Sequence, residues 1–290
     1  MSGFFAALGG GGMPFLRNAL FAGFLSSILF GALGSVLTVR RMTSLAGSIS
    51  HAVLGGIGLA LFLSSRGIVP GLPPIAGALV FALLSAVLIG FVSLKARQRE
   101  DTVINAIWAI GMSLGVLFLA KTPGYVDPMS YLFGNILLVS ARDLWMLAGL
   151  DAIVLLLLWR FYRQVEASSF DPEFAAVRGV PSDTVFMVIL VLTAVAVVLL
   201  QTFVGIVMVI AMLTLPAGTA SHAARSLAGM MVFATVLAAV FSTAGLATGW
   251  ALDLPAGAVT VVLAGSVFMA AASIRVLAVR LASKKRGRVA

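Results

Sequence analysis

The chain contains no cysteine, so a disulfide framework, a thiolate metal site and thiol redox chemistry are excluded. Charge is almost as scarce. Only 10% of the 290 residues are Asp, Glu, Lys or Arg, too few to coat the surface of a water-soluble domain of this length. Alternation is missing as well: apolar runs such as 185–200 continue without the two-residue period of a transmembrane barrel. No Gly-x-x-x-x-Gly-Lys-Ser/Thr sequence occurs, which leaves the chain without a nucleotide-phosphate loop.

What is present is apolar. Hydrophobic residues make up 61% of the chain, more than one soluble core of this size buries, and the fold class that follows is an all-α polytopic membrane protein forming a single domain over 1–290. Apolar windows predict about nine transmembrane helices, at 16–39, 42–63, 75–94, 103–120, 144–159, 185–202, 205–220, 230–250 and 256–276. Segment 131–139 is apolar but too short to span, which suits an interfacial or re-entrant helix. Residues 3–12 are glycine-rich with no basic region, which predicts a free N-terminus in place of a cleaved signal.

The charges that remain are lopsided. If Arg40, Arg41, Lys95, Arg97, Arg99, Arg160, Arg163, Arg178, Arg225 and the basic tail 277–290 with Arg275 share one side, that side holds fifteen of the 19 Lys and Arg. Only Arg17, Arg66, Lys121 and Arg142 fall on the other. This bias predicts an N-terminus outside and a C-terminus in the cytoplasm. The net charge of +9 then expresses topology and contact with anionic membrane lipid, with no nucleic-acid partner.

Against this background His51 stands out, a metal-capable side chain in the middle of an apolar run. Such a residue faces protein or water and marks a functional site, unless it is packed and donates to a carbonyl one turn back. The cytoplasmic excursion after the fifth span holds a second candidate feature, a short helix at 170–181. Asp171 suits its N-cap, Pro172 its first position, Glu173 its positive end and Gly179 its left-handed terminus, with Pro181 preventing continuation. Phe170, Phe174 and Val177 give it an apolar face that fits either a partner's groove or the protein's own loops.

The phrase Phe170-Asp171-Pro172-Glu173-Phe174-Ala175, with Arg178, Gly179, Val180 and Pro181 following, resembles the coupling-helix segment of the permease subunits of ABC-type zinc and manganese uptake transporters. Five further pieces agree in order: Ser50-His51-Ala52-Val53-Leu54, Arg99-Glu100-Asp101-Thr102, Tyr131-Leu132-Phe133-Gly134-Asn135-Ile136-Leu137, Leu215-Pro216-Ala217-Gly218-Thr219-Ala220 and Leu252-Asp253-Leu254-Pro255-Ala256-Gly257. Together they cover roughly 40–262 of the chain. The resemblance implies a homodimeric permease in a prokaryotic inner membrane and a cytoplasmic ABC ATPase dimer docked on Phe170, Asp171, Pro172, Glu173, Phe174, Val177, Arg178 and Gly179. An extracytoplasmic metal-binding protein delivers the ion. It implies no catalytic residue and no permanently bound cofactor, only the transported divalent metal.

The resemblance also implies an aspartate one turn before His51, and Gly47 stands there instead. An imidazole alone holds a divalent ion weakly, and zinc is expected ahead of manganese because histidine is the clear ligand. Asp151 is a substitute carboxylate, since its span position and that of His51 both lie about 12–14 Å into the hydrocarbon at 1.5 Å per residue. It would act from the same subunit or across the dimer axis; pairing with a neighbouring Ser, Thr or Asn, or protonation inside the bundle, is the alternative. Ser48 and Ser50 are weaker ligand candidates, Ser50 being able to bond back to the Ala46 carbonyl. His222 is expected to cap its helix as a partial positive charge, or to meet a metal on the exit side. Asp253 suits a turn at the outer mouth, or an encounter with the arriving ion. Glycines 31, 34, 55, 56 and 58 permit close helix packing and, near His51, a break that opens backbone carbonyls. The competing function class is an ATP-independent secondary carrier or channel for an ion or small polar solute.

Overall fold

The computed structural model describes residues 14–95, 100–124, 132, 134, 136 and 139–286. The expectations placed on 3–12, Arg97, Arg99, most of 131–139 and the last residues of the basic tail lie outside them, as do the side chains of Glu100 and of 278–286. Among the described residues the chain forms eleven helices and no strand. In chain order they are α1 Pro14–Val39, α2 Thr43–Ser65, α3 Pro74–Lys95, α4 Glu100–Lys121, α5 Ala141–Arg160, α6 Tyr162–Phe170, α7 Pro172–Val177, α8 Ser182–Val204, α9 Ile206–Ala220, α10 Leu227–Leu252 and α11 Ala256–Arg286.

Local chemistry accounts for several boundaries. The Ser140 hydroxyl accepts from the Asp143 amide at the start of α5, and the Asp143 carboxylate accepts from the Ser140 amide at 2.9 Å, a reciprocal capping box. Ser226 caps α10 through the Gly229 amide at 3.1 Å. Gly205, at φ 82°, is the single residue between α8 and α9, a backbone conformation that other residues avoid.

Each of the nine apolar windows falls on a helix, but the helices are not equivalent as spans. Helices α1, α2, α3, α4, α8, α10 and α11 are long and apolar enough to cross a membrane. Helix α5 qualifies only together with α6, from which it bends by 74°. Arg142, Asp143, Asp151 and Arg160 interrupt its apolar surface. Helix α9 has only 15 residues, fewer than the roughly 20 a perpendicular crossing needs.

Two groups of helices share the core. Helix α2 lies between α3 and α4, with α8 against α3. Helix α1 packs on α10 and α9, α11 covers both of these, and α5 rests on α1. Glycine makes the approaches close, because a Cβ at Gly34 or Gly56 would collide with the backbone of Leu213 or Gly77 respectively. The N-terminal end of α1 is joined to the residues leading into α5, where Asn18 donates to the Val139 carbonyl at 3.2 Å.

Candidate functional site

His51 sits on α2, and α2 is locked to α4 by backbone contact. A Cβ on Gly55 would stand 2.7 Å from the Gly111 carbonyl oxygen, and one on Gly58 would stand 2.6 Å from that of Gly115. Such distances leave no room for any side chain. Ser48 adds a polar tie, donating to the Ile104 carbonyl of α4 at 2.7 Å. Helix α2 runs unbroken through the glycine run, so the break considered at 55–58 does not form. Glycine there serves helix contact.

The His51 ring is half-buried and stacks on Trp108 of α4, with centroids 4.8 Å apart and planes 24° from parallel. Its Nδ1 is buried without a hydrogen-bond partner. A buried ring nitrogen without a partner is costly, so a position that keeps one points to a ligand that supplies the missing contact. Beside it, a Cβ at Gly47 would meet only Ile210 Cγ2, at 4.0 Å, so there is open space one turn before the histidine. Ser50 is committed elsewhere, donating to the Ala46 carbonyl at 2.8 Å. Trp108 was not singled out in the sequence; an aromatic residue in an apolar run carries no positional signal of its own.

Asp151 is 4% exposed on α5, and neither carboxylate oxygen has a hydrogen-bond partner. His51 and Asp151 are therefore not bonded to each other in the subunit. Helix α5 leans on α1, while the His51 ring lies on α4. Among the described residues no group of three His, Asp or Glu gathers that could hold a metal ion.

His222, just past the end of α9, meets side chains of α11. Its Nδ1 lies 2.7 Å from Arg275 Nη1 and its ring stacks on Phe268 at 6.2 Å. Arginine only donates, so Nδ1 contributes its lone pair to this contact. The other ring nitrogen, Nε2, is buried without a hydrogen-bond partner. Asp253 is the left-handed C-cap of α10 at φ 53°, its amide donating to the Gly249 carbonyl.

The excursion after α5 is two helices, not one, because Asp171 leaves the helical conformation between them. Its carboxylate accepts from the Phe174 amide at 2.9 Å and Pro172 fills the first position of α7. Gly179 closes the far end at φ 82°, and Val180 donates back to the Ala175 carbonyl at 3.0 Å. Ala175 is buried and anchors α7, while Phe170, Phe174 and Val177 are 64%, 55% and 86% exposed. Arg178 folds over the Phe174 ring at 5.2 Å. Tyr162 ties the segment to the rest of the bundle, its hydroxyl donating to Glu166 at 2.8 Å and accepting from the Ala228 amide at 3.1 Å.

These features define a polytopic membrane protein with a half-buried imidazole on one of its long apolar helices and a short helix that exposes apolar side chains. The chain belongs to the ABC 3 transport family, whose model matches residues 12–275. It is 37% identical over 262 residues to an uncharacterized membrane protein of Synechocystis, covering 90% of this chain and 91% of that one. It is 34% identical to the manganese transport system membrane protein MntC of Listeria monocytogenes, covering 94% and 95%. The solved structure of PsaBC from Streptococcus pneumoniae in complex with Fab superposes with a TM-score of 0.81 at 32% identity, covering 93% of this chain and 94% of that one.

Proposed function

We propose that the protein is the permease of an ATP-driven importer of a divalent metal ion, and that the ion passes His51. The observation that carries this reading is the His51 ring, held on a rigid helix pair with Nδ1 unsatisfied beside the space at Gly47. Neutral imidazole nitrogen is a ligand for first-row divalent metals. Zinc, which histidine chemistry alone favours, gives way to manganese as the first ion to test, because the Listeria relative is named for manganese transport. Asp151 is not bonded to His51 within the subunit and its helix packs on α1, so in this reading water or a second copy of the chain supplies the remaining ligands.

In the same reading two copies form the path, an ABC ATPase dimer seats on the exposed face of Phe170, Phe174 and Val177, and an extracytoplasmic binding protein delivers the ion. Nine crossings place the N-terminus outside, with the bent α5 and the short α9 each completing one. The decisive measurement is manganese and zinc uptake into vesicles holding the permease with its ATPase, its binding protein outside and ATP inside. Uptake without ATP would support the carrier alternative, and no uptake of either metal would sink both. Phe174→Asp should cut ATP-dependent uptake while leaving the folded permease intact; unchanged uptake would remove the docking role.

A further inference from the structure

The turn between α1 and α2 is tied to the segment outside the membrane by one side chain. Arg40 donates from Nη1 to Ser168 Oγ of α6 at 3.1 Å, and its guanidinium lies over the Phe186 ring of α8 at 5.3 Å. Ser168 is fully buried and its hydroxyl donates onward to the Val165 carbonyl at 3.3 Å, which leaves its lone pairs for Arg40. The next residue, Arg41, is held at φ 58°, a conformation disfavoured for a side chain of this size. The turn is thus tightly specified, and α2 begins two residues later with no side-chain cap of its own.

A cavity of about 700 Å³ lies between the turn and the α6–α8 segment, lined by Arg40, Ser168, Phe170, Pro172 and Phe186 together with the carboxylates of Asp101 and Asp183. Arg40 crosses it to reach a hydroxyl and a ring, contacts that can break and re-form, where a buried ion pair with either carboxylate would be harder to release. The space gives the turn and the segment room to move relative to each other, and Arg40 is what holds them in register.

We propose that Arg40 is a positioning residue that transmits displacement of the α6–α7 segment to the cytoplasmic end of α2, and so to His51. The proposal rests on the reading of the protein as an ATP-driven permease for its purpose, but the linkage itself is testable in the permease alone. Because the chain has no native cysteine, spin labels can be placed cleanly at Ser44→Cys on α2 and Ala176→Cys on α7, both exposed. In the permease alone, Arg40→Ala should broaden the distance distribution between the labels. Ser168→Ala should do the same, and the two together should do no more than either. An unchanged distribution in Arg40→Ala, or additive broadening in the pair, overturns the proposal. In the assembled transporter Arg40→Ala should keep ATP hydrolysis while metal taken up per ATP falls roughly tenfold, within the range of couplings carried by single residues. An unchanged ratio also overturns it. Absence of ATP-dependent uptake by the native complex would remove the transport reading, while the label measurement would still decide the linkage.

Discussion

His51 and Asp151 lie near the middle of α2 and α5, yet their surroundings have little in common. His51 is on a helix fixed on two sides by backbone contact through Gly55, Gly56 and Gly58, and its ring rests on Trp108 next to open space. Asp151 is buried on a helix supported mainly by α1, with Trp145 and Trp159 of the same helix 80% and 78% exposed. A side chain can be buried because a site was built around it or because its helix rolled it inward. Rigidity of the supporting helix and space for a ligand separate the two cases better than burial does.

The comparison breaks most severely if the support under His51 is removed. Gly58→Leu should force α2 from α4, since its side chain would overlap the Gly115 backbone. A loss of about 3 kcal/mol or more is expected, read as a lowered melting temperature in detergent together with loss of the His51–Trp108 contact. His51→Ala should leave the fold intact and lower metal uptake by more than roughly tenfold, the scale of effects at metal-site residues; the check is initial uptake rate at limiting metal. Gly47→Asp should insert a hard oxygen ligand into the space beside the ring. It should shift the manganese-to-zinc uptake ratio towards manganese by roughly tenfold, about 1.4 kcal/mol, measured by competition between the two ions. Asp151→Asn should change uptake by less than about threefold, the scale of polar contacts between membrane helices. An effect as large as that of His51→Ala would erase the distinction drawn here.

The difference between the two residues also marks how far the sequence could be read. Helix positions and ends were legible because they depend on local chemistry: Asp171, Pro172 and Gly179 occupy the cap, first-turn and terminal roles expected of them, and Ser50 makes the expected back-bond. Position along a helix was legible too, since it follows from counting residues: His51 and Asp151 both fall near the middle of their helices. Azimuth was not. Which way Asp151 faces depends on how α5 rolls against α1, and no residue count fixes that angle. The same limit hid Trp108, and it hid the arginine that makes His222 an acceptor, because Arg275 lies on α11, far away in sequence. The expected break near His51 failed for a related reason: the glycines were recognised, but the partners Gly111 and Gly115 that turn them into contacts belong to another helix.

Gly205 has an effect that extends to the lipid around the protein. It ends α8 and starts α9 in a single residue, and Gly134 lies against it so closely that a Cβ on Gly134 would collide with the Gly205 backbone. The 15 residues of α9 rise about 22 Å, about 8 Å short of a 30 Å hydrocarbon layer. Backbone at that depth has to be sheltered by protein, or the bilayer must thin to meet it. A membrane crossing built on α9 is therefore shorter in helical backbone than one along the long helices.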